Sequence, residues 1–213
     1  VYPDTVPNGG TSTVASKEVP KTGSLLIQKE DSVTGSASTL SSAYQFTGAV
    51  YTVYADAACK EAIATLSIDA SGKGSASGLY FGQYYVKETK APANGSYALD
   101  ETVYPIVVDE THPSVSITSD EQPIRKQIEI QKYDADTGKT EPYNHLVSFA
   151  GAEYTIYRDA ACKEAAATLT TDAAGYGKSD PLPVADYYVK ETKAPSGYQL
   201  DATVHRVTMD FSK

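Results

Sequence analysis

The sequence predicts an all-β protein made of two tandem β-sandwich domains. The first observation is an internal repeat, in which the run YYVKETKAP occurs at 84–92 and again at 187–195. The second is a series of short β-type runs, spaced roughly ten residues apart and separated by turn signals. The third is a composition with 17 Tyr and no Trp, which suits pleated, half-buried surfaces.

The repeat defines the predicted domains. LLIQKEDSVTG (25–35) matches IEIQKYDADTG (128–138), and the segment 48–74 matches the segment that begins 103 residues later. Such self-similarity is the signature of repeated structural units. We therefore predict domain 1 at 24–123 and domain 2 at 124–213.

The ends of the chain are out of phase with this repeat. TSTVASKEVPKTG (11–23) aligns at the same offset of 103 within the segment PSVSITSDEQPIRKQ (113–127), with Pro20 opposite Pro123. Residues 1–23 therefore resemble the last strands of a preceding repeat, and domain 2 is expected to lack its own last strand. An open sheet edge can accept an added strand, so residues 11–19 are a candidate strand donor to domain 2 of another chain, head to tail.

Within domain 1, each predicted strand follows from local pattern. Apolar alternation and β-forming residues predict strands, and Gly- or Asp-rich runs predict the turns between them. The phrase DAACKEA, which holds the cysteines Cys59 and Cys162, is expected to form a turn that contains a small buried thiol. The predicted strands are 25–29, 49–54, 64–68, 84–87, 102–109 and 114–118.

Charge excludes several classes of function. The net charge is −9 and the sequence pI is about 4.8, which opposes binding to nucleic acid or to an anionic membrane surface. No apolar run approaches the roughly 20 residues that span a bilayer, so no membrane insertion is expected. Residues 1–10 have neither the basic start nor the apolar middle of a signal peptide, so none is expected there.

No cofactor or metal site is predicted. DADTG (134–138) resembles the start of a calcium loop, but the glutamate required at the twelfth position is replaced by His145. The other histidines, His112 and His205, have no ligand spacing. No catalytic constellation is present either, so the chain is predicted not to be an enzyme.

The ordered motifs resemble a known family. The strands IQKED and IQKYD, the pattern GAxYxxY, the turn TxDxxG and YYVKETKAPxGY are similar to Cna protein B-type domains, the SpaA-type pilin domains of Gram-positive surface proteins. The resemblance implies prealbumin-like, inverse immunoglobulin-like sandwiches. It also implies a structural stalk or shaft of an extracellular, cell-wall-anchored protein, whose anchor lies outside this chain and whose partners are neighbouring repeats.

The resemblance further implies an intramolecular isopeptide bond. In such domains a lysine of the first strand attacks an Asn or Asp of the last strand, helped by a buried glutamate. Lys29 and Glu88 match the first two roles in domain 1, and Lys132 and Glu191 match them in domain 2. Burial favours the neutral lysine and the protonated glutamate that this reaction requires.

The acceptor departs from the family pattern. Alternation through Val115 and Ile117 puts Ser119 at the inward acceptor position, and serine has no carbonyl to attack. Asp120 is the candidate acceptor if a bulge shifts the register by one residue. The acceptor for domain 2 is not in this chain. The alternatives for Lys29 and Glu88 are a buried ion pair and a solvated pair.

An adhesin that recognises a host protein or glycan is the alternative function. The Tyr-rich segment GLYFGQYY (78–85) is a candidate contact loop. Its counterpart PLPVADYY (181–188) has lost two aromatic residues, so such a site would be confined to domain 1.

Overall fold

The computed structural model describes residues 13 and 15–212, and it is built from strands in two similar units. No helix occurs among these described residues, and thus none that could cross a membrane. The strands of the first unit are β1 Thr22–Asp31, β2 Val50–Tyr54, β3 Ala62–Ser67, β4 Lys73–Tyr80, β5 Gly82–Lys90, β6 Val103–Val108 and β7 Ser114–Glu121.

Domain 1 is a sandwich of two sheets. One sheet has the order β4-β1-β7 and the other has the order β3-β2-β5-β6. In β1, Leu25 and Ile27 are buried while Leu26 between them is exposed, as expected for a strand with one face on the core. Complete burial of one such aliphatic side chain stabilises the fold by about 1.5–3 kcal/mol.

The first and last strands of domain 1 lie side by side and parallel. Their register is continuous, from Ser24 opposite Ser114 to Asp31 opposite Glu121. The first strand therefore sits in the middle of its sheet, between β4 and β7. No bulge interrupts the pairing of β1 with β7, so side-chain direction along β7 follows strict alternation.

Two predictions of local structure were wrong, one in domain 1 and one in both domains. The sequence predicts no strand between residues 68 and 84, yet Lys73–Tyr80 forms β4, directly after the predicted Gly-rich turn. The backbone of β4 packs closely on β3 at Gly74, where an added Cβ would lie 2.6 Å from Leu66 Cδ1. Glycine permits this close approach because it has no Cβ. Cys59 and Cys162 were expected to be buried, but both are partly exposed free thiols at positive φ, at the apex of their turns.

Domain 2 repeats this plan with a shorter first sheet. Its four-stranded sheet has the order β11-β10-β14-β15, whereas β9 pairs only with β12 among the described strands. A small pair, β8 with β13, lies at its start. The strands are β8 Arg125–Lys126, β9 Glu129–Gln131, β10 Glu153–Tyr157, β11 Ala165–Thr170, β12 Tyr176–Lys178, β13 Leu182–Pro183, β14 Asp186–Lys193 and β15 Val204–Thr208.

Tyr44 joins the two domains. Its hydroxyl donates to the carbonyl of Ile124 at 2.6 Å and accepts from the amide of Val184 at 2.8 Å. The ring of Phe211 packs edge-on against Tyr44 at 5.1 Å between centroids, and Val184 is buried within the core of domain 1. The repeat places Val147 at the position equivalent to Tyr44, so this hydroxyl contact is particular to the junction.

We predict that Tyr44→Phe loosens the junction while leaving both cores packed. The change removes two hydrogen bonds and leaves two backbone groups without their partner, which costs about 1–3 kcal/mol. Urea unfolding followed by tyrosine fluorescence would measure the loss. Tyr85→Phe is the control, because the Tyr85 hydroxyl meets only the exposed amide of Gln83; equal losses in both variants would contradict the junction role.

Candidate functional site

The Lys29 ammonium lies at the centre of domain 1 and is fully buried. Strand alternation places it on the inner face of β1, after Leu25 and Ile27. Glu88 reaches it from the inner face of β5, with Oε1 2.5 Å from the lysine Nζ. Lys29 and Glu88, the two residues that the sequence predicted as partners in domain 1, are therefore in contact in the core.

Glu121 supplies a second carboxylate to Lys29. Its Oε1 lies 2.7 Å from Lys29 Nζ, and its side chain is as inaccessible as those of Lys29 and Glu88. Glu121 shares the inward face of β7 with Ser119, two residues earlier. Sequence reasoning stopped at Ser119, although the same alternation indicates Glu121 as the next inward residue.

Asp120 does not join this group. The continuous register between β1 and β7 turns its side chain outward, and the residue is exposed. The bulge that would have brought Asp120 to Lys29 is absent. Ser119 does face inward as expected, and it is completely buried.

Hydroxyl groups bind the carboxylates together. Tyr51 donates to Ser119 Oγ at 2.7 Å, and its hydroxyl accepts from Lys29 Nζ at 3.2 Å. Ser119 Oγ lies 2.7 Å from Glu121 Oε1 and 3.0 Å from Asp100 Oδ2. Asp100 also donates its backbone amide to Glu88 Oε2 at 2.6 Å. We call Lys29, Tyr51, Glu88, Ser119 and Glu121 the Lys29 cluster.

The electrostatics of the cluster follow from its burial. Burial raises the pKa of Glu88, although Lys29 opposes this effect. Burial, with the Glu121 charge nearby, also raises the pKa of Tyr51, which keeps that hydroxyl available as a donor. For Asp100, burial is outweighed by hydrogen bonds from Thr102, Tyr104 and Ser119, and its pKa is lowered.

Domain 2 contains a partial copy of the cluster. Lys132 Nζ lies 2.6 Å from Glu191 Oε1 and donates to the Tyr154 hydroxyl at 2.9 Å. The amide of Asp201 donates to Glu191 Oε2, just as Asp100 does to Glu88. No second carboxylate reaches Lys132 among the described residues, and its side chain is 12% exposed where that of Lys29 is 0%. The hydrogen bonds outweigh burial and raise the pKa of Lys132.

The remaining predicted sites have simple placements. The Asp134 carboxylate accepts hydrogen bonds from the amides of Asp136 and Thr137 and closes a turn, and no group of potential metal ligands occurs among the described residues.

The Tyr-rich segment 78–85, the predicted contact loop, forms the end of β4 and the start of β5. Within it Tyr84 is buried, with its hydroxyl on the Tyr80 carbonyl, and Tyr80 is exposed.

We predict that Lys29→Met destabilises domain 1 by about 3–5 kcal/mol, because it leaves two buried carboxylates without a cation. The matched variant Lys132→Met should cost less, since Lys132 has one carboxylate partner among the described residues and its side chain is 12% exposed. Urea titration of each variant against the parent chain measures both losses. A loss for Lys132→Met as large as that for Lys29→Met would contradict this account of the cluster.

Comparison with known proteins now identifies the fold. The profile of the SpaA prealbumin-like fold domain matches residues 23–123 and 126–213. The structure of the Bacillus anthracis TIE protein superposes with a TM-score of 0.56 at 24% identity, over 88% of this chain and 31% of that one. No curated protein sequence matches the chain.

Two further structures are similar at lower scores. A C-terminal fragment of the pilus adhesin SpaC from Lactobacillus rhamnosus GG has 21% identity and a TM-score of 0.42, over 89% of this chain and 83% of that one. A streptococcal ancillary pilin has 19% identity and a TM-score of 0.38, over 88% and 59%. The chain thus spans about a third of the TIE protein and three-fifths of the ancillary pilin. Because the family profile matches nearly the whole chain in two copies, the chain belongs to the SpaA prealbumin-like domain family.

Proposed function

We propose that this chain is a non-enzymatic shaft segment of a Gram-positive surface protein or pilin, anchored to the cell wall through other parts of its parent. Its task is to hold a distal part of that protein away from the cell while tension is applied along the chain. Neighbouring repeats of the same kind are its covalent partners. The single observation that carries this proposal is the parallel pairing of β1 with β7.

Parallel end strands resist tension for a geometric reason. A pull along the chain enters domain 1 at the start of β1 and leaves it at the end of β7. Because the two strands run in the same direction, the pull slides one strand along the other. All hydrogen bonds between Ser24–Ser114 and Asp31–Glu121 must then break together.

The Lys29 cluster also resists the sliding of β1 past β7. Lys29 on β1 is held to Glu121 on β7 and to Glu88 on β5, in the opposite sheet. A sliding of β1 past β7 would separate the ammonium from a carboxylate in a core that is closed to solvent. Such a separation leaves an uncompensated buried charge, so the cluster opposes the motion that tension produces.

We propose that this link is ionic. Ser119 occupies the position where the family pattern requires an Asn or Asp, and the exposed Asp120 is out of reach. The covalent alternative would join Lys29 to Glu121, whose Oε2 has no hydrogen-bond partner. In that reaction the neutral amine attacks the carboxyl carbon, Glu88 transfers the protons, and one water leaves.

Force spectroscopy tests the shaft role. We predict two unfolding events when the chain is pulled by its ends, with domain 1 unfolding at the higher force because, among the described strands, β9 pairs only with the antiparallel β12 and has no parallel neighbour. A domain of roughly 100 residues lengthens by about 36 nm, at up to about 3.6 Å per residue, which identifies each event. Lys29→Met should lower the force of the domain 1 event and leave the other unchanged. Equal forces for both domains in the parent chain would refute the proposal.

The intact mass of the denatured chain tests the ionic link. We predict the mass of the unmodified sequence, 22.7 kDa. A mass that is lower by one water, together with a linked Lys29–Glu121 peptide pair after proteolysis, would show the covalent bond instead. Lys29→Met, which cannot form the bond, supplies the reference mass.

A further inference from the structure

A cleft lies between the two domains, next to the Tyr44 junction. Val33 and Leu40 line it from domain 1, and the strand β11 and the segment 180–183 line it from domain 2. Its volume is about 590 Å³, within the range of sites that bind small ligands or a few residues of a peptide. Val184, the next residue after this segment, donates its amide to the Tyr44 hydroxyl. The contact that joins the domains therefore lies directly beside the cleft.

The cleft concentrates the arginines of the chain. Of the three arginines in the sequence, Arg125 and Arg158 line it. Burial raises the pKa of Tyr187, and the charges of Arg158 and Arg125 both oppose that rise. Both guanidinium groups therefore lie near the same buried hydroxyl, which donates to the Pro183 carbonyl at 2.8 Å. A chain with a net charge of −9 thus carries a local positive site.

Neither arginine is held by a close carboxylate among the described residues. The Arg158 Nε lies 3.6 Å from Glu164 Oε1, and both side chains are exposed. The Arg125 Nη1 lies 3.5 Å from the Pro181 carbonyl oxygen. The third arginine of the chain, by contrast, has a carboxylate oxygen at 2.7 Å. Because an exposed pair at 3.6 Å contributes little, Arg125 and Arg158 can offer forked N–H donors to a carboxylate from outside the chain.

Neither arginine is a general feature of the repeat. At the spacing of 103, Arg125 corresponds to Thr22 and Arg158 corresponds to Ala55. The sequence around Arg158 is otherwise similar, since GAEYTIYRDAACKEA in domain 2 matches GAVYTVYADAACKEA in domain 1. The fold of such a domain therefore does not require an arginine at either position, and the two charges are particular to the junction.

The backbone beside the cleft also differs between the repeats. Domain 1 has the single strand β4, whereas domain 2 has two short strands, β12 and β13, with residues 179–181 between them. Pro181 takes the place of Gly78, and a proline cannot donate to a ladder. Asp180 and Pro181 line the cleft, so the interruption forms part of the site. With two arginines and one aspartate, the lining carries a net charge of +1.

One side of the cleft is the strand β11, which lies at the edge of its sheet and pairs only with β10 among the described strands. Ala166, Ala167 and Thr168 of this strand line the cleft. The outer edge of such a strand presents backbone N–H and C=O groups to which an extended peptide can add. Among the described residues the lining includes no aromatic ring on which a sugar could stack. These features favour an extended peptide over a glycan.

We propose that the junction cleft binds an extended peptide segment of another protein, which pairs with the edge of β11 and places one carboxylate against Arg125 and Arg158. A single Asp or Glu matches the net charge of the lining. Small apolar side chains on either side of that residue contact Val33 and Leu182. The Tyr44 contact holds the two halves of the lining together, so the site is formed before the peptide binds.

The peptide is assigned to another protein and not to a segment of this chain. Of the candidate strand donor, residues 11–19, the described residues do not line the cleft, and positions 11, 12 and 14 lie outside the described residues. This recognition role is additional to the shaft role and does not depend on it.

Fluorescence anisotropy of a labelled peptide tests the proposal. The probe is dansyl-Gly-Thr-Val-Glu-Val-Thr-Gly amide, which combines β-forming residues with one carboxylate, and its control carries Gln in place of Glu. We expect the full chain to bind the Glu peptide with saturation and the Gln peptide about tenfold more weakly, because only the first accepts charge-assisted hydrogen bonds. No saturable binding of the Glu peptide up to about 1 mM, or equal binding of both peptides, would overturn the proposal.

Substitution to the domain 1 residues locates the site on the protein. Arg125→Thr and Arg158→Ala each introduce the residue that domain 1 has at that position, so both variants should fold, and each should weaken binding of the Glu peptide by about tenfold. Arg206→Thr is the matched control, because it removes the same charge from a residue that does not line the cleft, and it should bind like the parent chain. Equal weakening by Arg206→Thr, or unchanged binding in both cleft variants, would contradict the assignment.

Two further probes distinguish the mode of binding. A peptide with proline on both sides of the Glu keeps the carboxylate but loses two N–H donors, so we expect binding about tenfold weaker than that of the Glu peptide. Equal binding would overturn the proposed pairing with β11. Heparin is the glycan probe: heparin binding that depends on Arg125 and Arg158, without binding of the Glu peptide, would assign the cleft to a sulfated glycan and overturn the proposal.

Discussion

The buried ammonium of Lys29 is the constraint on which domain 1 depends. A charge with no access to water must be matched within the fold, and here Glu88 and Glu121 match it from two different strands. Since these strands belong to opposite sheets, the requirement to neutralise Lys29 fixes how the sheets face each other. Tyr51 and Ser119 donate hydrogen bonds to Glu121 Oε1, whereas Glu121 Oε2 is buried without a hydrogen-bond partner. The packing of the two sheets, the register of β7 on β1 and the neutralisation of Lys29 therefore depend on one another.

The same constraint explains the difference between the two domains. Domain 2 keeps the lysine, the first glutamate and the tyrosine in the same relative positions. Among the described residues β9 pairs with β12 alone, no second carboxylate reaches Lys132, and the lysine side chain is 12% exposed. Partial hydration stabilises the ammonium where the protein does not. Domain 2 thus remains compatible with a charged lysine, and its first sheet consists of two three-residue strands, β9 and β12.

The junction between the two domains is fixed by contacts that do not involve the Lys29 cluster. Tyr44 belongs to domain 1, yet its hydroxyl satisfies backbone groups of Ile124 and Val184 beyond the predicted boundary. Phe211, near the end of the described chain, packs on the same ring. A segment whose two cores share a buried contact resists bending at the linker more than two domains joined by a flexible tether. This property suits a spacer, in which extension is as important as the stability of each unit.

The sequence by itself determined the all-β class and the two copies, and it made Lys29 and Glu88 candidates whose burial the structure decided. These features depend on local alternation and on self-similarity, which a single chain displays directly. It also contained the signal for Glu121, because that residue shares its parity with Ser119. The tertiary structure alone decided that Glu121 reaches the lysine and Asp120 does not, because the outcome depends on the unbroken register of two strands that are about 90 residues apart in the chain. It also decided the strand β4, whose Gly- and Ser-rich sequence has no apolar alternation, and the Tyr44 junction. Both result from packing between distant segments, which no local pattern encodes.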